Sequence, residues 1–202
     1  MVEIILIIIG YTAGSIPTAY LFLKFFYNID IRKEGTGNVG AMNSYDVTKS
    51  RKTGIAVFAV DFLKGALPVA LSLRLTENDF TTASFVLCAS VLAHCYSPWL
   101  KFKGGRGLAT AAGGAVILSP LILAGWLFGW IISYLPLKNV HLANLGATLI
   151  IWIFSIIFVN YFLRVTFANP AKPEIFIFSV SILFFIILSK HFSPILSLIK
   201  RK

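Results

Sequence analysis

The chain has few charged residues, and this scarcity argues against a protein surrounded by water. Charged residues occupy 13% of its 202 positions, whereas soluble domains average roughly a quarter. Apolar residues make up 57%, and the mean hydropathy is +0.84. Because a lipid-exposed backbone must satisfy its own hydrogen bonds, we predict an all-α, polytopic integral membrane protein.

Cysteine and clustered carboxylates are also scarce. The two cysteines, Cys88 and Cys95, fall within one apolar run, which argues against a disulfide framework or a cysteine-based metal site. The 8 acidic residues are scattered along the chain and do not form the oxygen cluster that a hard divalent cation requires. The sequence therefore predicts no metal and no cofactor.

Basic residues, by contrast, outnumber acidic ones by 18 to 8. In a soluble protein such an excess would suggest nucleic-acid binding. In a membrane protein, cationic loops on the cytoplasmic side explain it better, because they set the orientation. Such loops also attract anionic head groups and anionic substrates. We therefore predict contact with membrane lipids and none with nucleic acid.

Long apolar runs occur six times, and most are near the ~20 residues that a spanning helix needs. They cover residues 4–27, 55–75, 83–100, 108–136, 143–163 and 175–189. The first could be mistaken for a cleaved signal peptide. It carries Glu3 where a signal peptide has basic residues, and it has no clear small-residue cleavage site. We expect a retained helix.

The 108–136 run can be one span or a hairpin of two short helices, because it is rich in small residues and contains Pro120. The distribution of lysine and arginine separates the two topologies. With the N-terminus outside, a hairpin places 14 cations inside and 3 outside, whereas a single span gives 11 and 6. The positive-inside rule therefore favours about seven helices, with the N-terminus outside and the C-terminus in the cytoplasm of a bacterial inner membrane.

That topology places the polar loops on the cytoplasmic face of one domain, residues 1–202, which we expect to be a monomer. The most informative loop covers residues 35–43, G-T-G-N-V-G-A-M-N. Its glycines permit positive φ and expose backbone amides, and successive exposed amides can hold an anion. Thr36 and Asn38 add hydrogen-bonding side chains. A flexible connecting loop is the alternative, and this segment alone does not decide.

A second glycine-rich stretch, K-F-K-G-G-R-G-L-A-T, covers residues 101–110. It places three cations and three glycines ahead of a predicted helix start, where the helix dipole favours an anion. The GxxxxGK[ST] spacing of the nucleotide P-loop is absent. Lys101 can be a plain positive-inside anchor. Arg106 lies between two glycines at the mouth of the helix, which favours a phosphate-binding role.

Ionisable residues inside the apolar runs are costly and usually pair or line a site. Asp61 and Lys64 lie three residues apart and can meet on one helical face, so we predict a structural ion pair. His94, His141 and His191 fall near the proposed inner ends of helices. A single histidine there is more often a satisfied polar cap than a catalyst.

Four polar, glycine-containing segments follow one another along the chain in a fixed order. They are G-S-I-P-T-A-Y-L at 14–21, I-D-I-R-x-x-G-T-G-N-V-G-A-M-N at 29–43, D-F-L-K-G-A at 61–66 and H-x7-F-K-G-G-R-G-L-A-T at 94–110. Their order and spacing resemble the membrane glycerol-3-phosphate acyltransferases that use acyl phosphate. The resemblance implies a seven-helix inner-membrane enzyme that makes lysophosphatidic acid for phospholipid biosynthesis, with a cytoplasmic active site.

The sequence departs from that family's usual pattern at several positions. In the two glycine-rich stretches, Thr36 replaces a serine, Met42 a threonine and Arg106 a lysine, and Asp46 after the first stretch replaces an arginine. Further along the chain, His141 and Asn144 replace serines. Pro194 replaces the asparagine that the family has three residues after the histidine at position 191. Threonine keeps the hydroxyl group and arginine keeps the charge. Asp46 differs in kind, because it puts a carboxylate where the family places a phosphate contact.

Together with the loop chemistry, the resemblance implies two groups of site residues. The expected catalytic residues are Thr36, Asn38, Arg106 and His191. The expected substrate-binding residues are Gly35, Gly37, Gly40, Asn43, Lys103, Gly104, Gly105, His141 and Asn144. Acyl phosphate is a mixed anhydride with a good leaving group, so the protein need only align the substrates and stabilise the developing charge. Either His191 or a phosphate oxygen of the substrate acts as the base.

Two alternatives remain open. A non-catalytic transporter or lipid-binding relative would share the apolar helices and the basic face, and an acyltransferase with a different acceptor alcohol would account for Asp46. The residues five positions after the histidines are Trp99, Gly146 and Leu196. The HxxxxD motif of the soluble-type acyltransferases is therefore excluded, and we expect acyl phosphate as donor.

Overall fold

The computed structural model describes residues 1–169 and 172–191, and its regular structure there is helical apart from one isolated bridge between Asp79 and Asn169. The all-α prediction is confirmed for this part of the chain. The predictions made for Pro194 and for the cations Lys200, Arg201 and Lys202 lie outside the described residues. The helices are α1 (Val2–Ser15), α2 (Thr18–Tyr27), α3 (Ala41–Thr48), α4 (Arg51–Leu75), α5 (Phe80–Cys95), α6 (Leu108–Leu118), α7 (Pro120–Leu137), α8 (Val140–Ile157), α9 (Val159–Arg164) and α10 (Pro173–Ser189).

Within the described residues, five segments are long and apolar enough to cross a membrane. They are Val2–Tyr27, Arg51–Leu75, Phe80–Leu100, Pro120–Leu137 and Val140–Ile157. Two shorter apolar helices, Leu108–Leu118 and Pro173–Ser189, accompany them. The number of crossings and the orientation stay predictions.

Apolar side chains cover the outside of the helix bundle, while polar side chains lie within it. Leu127, Phe128 and Ile131 on α7 are each more than half exposed. Ser90 on α5 and Thr110 on α6 are completely buried. This distribution suits a lipid environment, where apolar surface faces the hydrocarbon and polar groups find partners inside the protein.

The first apolar run is not one continuous helix, which corrects the prediction for residues 4–27. It breaks between α1 and α2 at Ile16 and Pro17. Proline has no backbone N–H and restricts the preceding residue to extended conformations, and Ile16 has ψ 118°. The break frees the carbonyl groups of Ser15 and Ile16, which accept hydrogen bonds from Ser97 and Lys64 respectively.

The predicted break in the 108–136 run is present. Helix α6 ends at Leu118, and α7 begins at Pro120, because proline is tolerated in a first helical turn but not inside a helix. The polar segment between α2 and α4 contains a short 3₁₀ turn at Ile31–Lys33 and helix α3.

Helices α4 and α6 approach each other closely through glycine. A Cβ atom on Gly65 would overlap the carbonyl oxygen of Thr110, and one on Gly113 would overlap that of Phe62. Small residues allow such close backbone contact between membrane helices. The contact fixes where the N-terminus of α6 lies, and the second glycine-rich loop leads directly into that terminus.

Candidate active site

The first glycine-rich loop is folded around the side chain of Asn43. Its Nδ2 donates to the carbonyl oxygens of Glu34 (3.1 Å) and Asn38 (3.0 Å), and its Oδ1 accepts from the amide of Thr36 (2.9 Å). Asn43 is only 2% exposed. Its hydrogen-bonding groups are engaged within the loop and hold the loop in shape, while substrate binding by Asn43 stays a prediction.

Bonds within the loop also engage three of the amides proposed for the anion nest, which itself stays a prediction. The amides of Thr36 and Gly37 donate within the loop, the latter to Glu34 at 2.9 Å, and the amide of Gly40 donates to Asn38 at 3.1 Å. Those three amides are thus not available to an anion. Gly35 and Gly37 have φ of 58° and 71°, where glycine is favoured, whereas Gly40 is extended at −157°.

The second glycine-rich loop folds back on the last turn of α5. The amides of Gly104 and Gly105 donate to the carbonyl oxygens of Cys95 and His94, both at 3.1 Å. A Cβ atom on Gly105 would lie 2.7 Å from the carbonyl oxygen of Val39 and would overlap the ring of His94. Glycine is therefore required for packing at the point where the two glycine-rich loops meet, and both amides are already engaged.

Arg106 follows directly and points toward α8. Its Nη1 lies 3.1 Å from Nδ1 of His141, and the guanidinium is half-buried. Because a guanidinium only donates hydrogen bonds, Nδ1 of His141 must accept, and the proton of the neutral ring lies on Nε2. Asn139 caps α8 with bonds to the amides of His141 (2.9 Å) and Leu142 (3.2 Å), which fixes the start of this helix.

One helical turn further along α8, Asn144 faces His191. Its Nδ2 is 3.5 Å from Nε2 of His191. The other ring nitrogen, Nδ1, lies 2.8 Å from the carbonyl oxygen of Ile187. A carbonyl oxygen only accepts, so Nδ1 carries the proton, and Nε2 of the neutral ring has a free lone pair. The two histidines therefore hold opposite tautomers.

The surroundings of His191 keep its ring neutral. The residue is 1% exposed, and burial lowers its pKa. The hydrogen bond to Ile187 acts in the opposite direction, and the nearby Arg106 and His141 lower the pKa further. Burial also lowers the pKa of Arg106, although a guanidinium keeps its charge in proteins. Arg106 and His191 thus place a fixed cation near a neutral imidazole.

The predicted ion pair is present behind the second loop. Nζ of Lys64 lies 2.8 Å from Oδ1 of Asp61, with both side chains buried, and the same ammonium group donates to the carbonyl of Ile16 at the break between α1 and α2. Nδ1 of His94 lies 3.8 Å from Asp61. This cluster ties α4 and α5 to the broken helix.

The sequence-predicted residues thus fall into two sets. The structure brings Arg106, His141, Asn144 and His191 together. Thr36 and Lys103 are exposed and Asn38 is half-buried, each on a loop beside that cluster. Trp130 was missed by sequence reasoning: its Nε1 donates to Oδ1 of Asn144 at 2.8 Å. The sequence does show an indole N–H within an apolar span, and such a group needs a hydrogen-bond partner when it is buried.

An apolar cavity of about 370 Å³ begins beside this cluster. It runs between α4, α6, α7 and α10, and its walls include Leu108, Trp126 and Ile187. Leu108 lies two residues from Arg106, and the carbonyl of Ile187 binds His191. The deeper wall is formed by Ala112, Ala115, Ile122, Leu123, Leu183 and Phe184. A polar cluster next to an apolar cavity suits an amphipathic substrate.

Comparison with known proteins agrees with this geometry. A model of the glycerol-3-phosphate acyltransferase family matches residues 4–201. The chain is 33% identical to a glycerol-3-phosphate acyltransferase of Aster yellows witches'-broom phytoplasma, over 94% of this chain and 90% of the relative. It is 37% identical to one of Trichlorobacter lovleyi, over 90% and 87%. With one of Syntrophotalea carbinolica it shares 40% identity, and there the match covers 60% of this chain and 61% of the relative.

Solved structures give the same result. The chain superposes on the crystal structure of PlsY (YgiH), an integral membrane glycerol 3-phosphate acyltransferase in its glycerol 3-phosphate form, with a TM-score of 0.83 and 30% identity over 99% of this chain and 93% of that one. The TM-score with its lysophosphatidic acid form is 0.82. By sequence along almost its whole length and by its fold, the chain belongs to the glycerol-3-phosphate acyltransferase family.

Proposed function

We propose that this protein transfers an acyl group from an acyl phosphate to the 1-hydroxyl of glycerol 3-phosphate, giving lysophosphatidic acid for phospholipid biosynthesis. The observation that carries the proposal is the meeting of Arg106, His141, Asn144 and His191 at one end of the apolar cavity. A phosphate ester and a long acyl chain need a cationic pocket and an apolar groove side by side. The bound forms described for the PlsY structures are a substrate and the product of this reaction.

Arg106 holds the phosphate of glycerol 3-phosphate and also stabilises the phosphate that leaves the acyl donor. Its fork of donors matches phosphate oxygens, and its position just before α6 adds the favourable field of a helix N-terminus. His141 accepts a hydrogen bond from one N–H group of the guanidinium at 3.1 Å, and this bond fixes the direction of the other N–H groups. Because that contact uses Nδ1 of His141, the Nε2–H of the ring remains as a second donor for an anion.

His191 accepts the proton of the attacking hydroxyl. Nε2 carries a lone pair because Nδ1 donates to Ile187. The hydroxyl oxygen forms a bond to the acyl carbon as the bond between that carbon and the phosphate oxygen breaks. The proton passes to Nε2, inorganic phosphate leaves, and Arg106 stabilises the charge on the departing oxygen. A phosphate oxygen of the substrate is the alternative proton acceptor.

The remaining parts of the proposal concern the donor, the assembly and the membrane. The acyl chain lies in the cavity lined by Leu108, Ala112 and Trp126, and the donor is acyl phosphate. The chain acts as one membrane-embedded domain and as a monomer. The site faces the cytoplasm of a bacterial inner membrane, which is supported by the 14-to-3 distribution of cations in the sequence.

Purified protein incubated with palmitoyl phosphate and glycerol 3-phosphate tests the proposal. We expect equal amounts of lysophosphatidic acid and inorganic phosphate, no product with palmitoyl-CoA, and no loss of activity in EDTA. A parallel reaction with other alcohols as acceptors addresses the different-acceptor alternative raised by Asp46. Binding of both substrates without any product would instead support a non-catalytic lipid-binding protein.

A further inference from the structure

Trp130 lies on α7, in a run that the sequence identifies only as a membrane segment. Its indole Nε1 is 2.8 Å from the side-chain oxygen of Asn144 on α8. An indole N–H can only donate a hydrogen bond, so the atom that it meets must be the oxygen of the amide. This contact assigns the orientation of Asn144, which could otherwise be written either way round.

The orientation decides what faces His191. With its oxygen on Trp130, Asn144 presents its NH₂ group to Nε2 of His191 at 3.5 Å. That distance is too long for a strong hydrogen bond, but the group there is a donor. A donor facing Nε2 favours the unprotonated nitrogen, and a turned amide would present an acceptor and favour the imidazolium.

We propose that Trp130 is a positioning residue for the acyl transfer proposed above: it holds the Asn144 amide in the orientation that keeps Nε2 of His191 unprotonated and able to accept the substrate proton. The inference rests on the proposed function only where turnover is measured. The tautomer and protonation of His191 can be followed without substrate.

The contacts around the pair hold Trp130 in place. Its ring stacks on Tyr134 with centroids 4.8 Å apart and planes 7° apart. One turn along the same two helices, Trp126 donates to Oγ1 of Thr148 at 3.0 Å, and that hydroxyl donates to the carbonyl of Asn144 at 2.7 Å. Both the backbone and the side chain of Asn144 are therefore fixed by the interface of α7 with α8.

The charged groups near His191 also favour its unprotonated ring. Arg106 and His141 both oppose protonation of its ring, and Lys190 precedes it in the chain. No carboxylate is among the groups that the structure, in its described part, identifies as influencing this ring. The Asn144 amide is thus the group that can reverse the preference, because it alone can turn from donor to acceptor.

The test uses the full-length protein with Trp130→Phe, which removes the N–H and keeps an aromatic ring. The matched control is Trp152→Phe, because Nε1 of Trp152 donates to Oγ of Ser181 at 3.0 Å between α8 and α10, away from the cluster. If Trp130→Phe does not fold, benzothienylalanine at position 130 keeps the shape of the indole with sulfur in place of N–H. Histidine-labelled NMR gives the protonation of His191, and initial rates against pH give turnover.

For Trp130→Phe we expect an upward shift in the pKa of His191, an acidic limb of the kcat–pH profile that moves to higher pH, and a loss of about tenfold in kcat near pH 6.5. KM for glycerol 3-phosphate should hardly change, and Trp152→Phe should match the wild type. In an Asn144→Ala background, Trp130→Phe should add no further effect.

The inference is overturned if Trp130→Phe leaves the pKa of His191 and the pH profile unchanged, or if its loss multiplies with that of Asn144→Ala. The NMR measurement decides even if wild-type protein shows no turnover with acyl phosphate. In that event the proposed function fails, while the positioning of His191 is still confirmed or refuted.

Discussion

Arg106 has three features that the other cations of its loop, Lys101 and Lys103, do not share. It has glycine on both sides, it precedes the N-terminus of α6, and it contacts His141 at 3.1 Å. Lys101 and Lys103 are exposed on the same loop. The close fit of Gly105 between Val39 and His94 means that the backbone leading to Arg106 has little freedom, so its guanidinium is held before substrate arrives.

Replacing Arg106 by alanine should therefore abolish nearly all activity. Losing such a charge-assisted contact typically costs ~2–4 kcal/mol of transition-state stabilisation, on the order of 10²–10³ in rate. Arg106→Lys should retain part of the activity because it keeps the charge, and Lys101→Ala, the matched control, should lose little. Steady-state rates at saturating substrates check this. An Arg106→Ala variant with more than about a third of wild-type turnover would place the phosphate site elsewhere.

The residues that the sequence predicted correctly are those whose chemistry follows from their own type and neighbours. The Asp61–Lys64 pair belongs to this class. The contacts of Asn43 do not, because they depend on three loop backbone groups that the fold brings around it. Trp130 was missed for the same reason, since its partner lies on the next helix. Residue type indicates which bonds are possible, and packing decides which are made.

At the scale of elements, the break between α1 and α2 is held by a charge from another helix. Lys64 on α4 donates to the carbonyl of Ile16 and pairs with Asp61 at 2.8 Å. Sequence reasoning expected one continuous first helix, although Pro17 was visible. Glycine and proline mark possible breaks, but a membrane helix tolerates them only where neighbouring side chains satisfy the freed backbone groups, and those neighbours are distant in sequence.

Lys64→Met should destabilise the protein strongly, because it leaves the Asp61 carboxylate buried and unpaired. Breaking a buried pair in this way typically costs ~3–5 kcal/mol. The double variant Asp61→Asn with Lys64→Met should be less destabilised than Lys64→Met alone, since no buried charge remains. Thermal unfolding in detergent measures this, with the exposed Lys52→Met on the same helix as control. A double variant less stable than Lys64→Met would show that the pair is not the source of the effect.

Helix α6 forms one wall of the apolar cavity, and its alanines set how far a chain can enter. Ala115 lies seven residues beyond Leu108, about 10 Å along the helix axis. Ala115→Leu should therefore obstruct the deep part of the cavity and leave the mouth open. We expect the preferred acyl phosphate to become shorter, with little loss of kcat for short chains.

The relative rates with acyl phosphates of different length check this, measured against Ala124→Leu, which changes an exposed position on α7. Equal loss with all chain lengths in Ala115→Leu, or a shorter preference in Ala124→Leu, would contradict the assignment of the cavity to the acyl chain.

For the whole molecule, the orientation in the membrane is predicted from charge. Cysteine introduced at Asn78 should react with a membrane-impermeant maleimide in spheroplasts, and cysteine at Lys138 should react only after the membrane is disrupted. The two native cysteines are buried, so they should contribute little background. Labelling of position 138 in intact spheroplasts would refute the hairpin topology and with it the cytoplasmic site.

The fold class followed from composition alone, because scarce charge and long apolar runs leave few structures possible. The site did not, since the second loop, α8 and the residue after α10 are distant in the sequence and meet only when the helices pack together. The sequence therefore indicated the candidate residues, and the fold decided which of them meet.

The most direct test of the site is the structure of the protein bound to glycerol 3-phosphate. We expect the phosphate within about 3 Å of the Arg106 guanidinium, with the 1-hydroxyl directed toward Nε2 of His191 and the mouth of the apolar cavity. A phosphate bound away from Arg106, with the hydroxyl remote from His191, would contradict the assignment of this cluster as the active site.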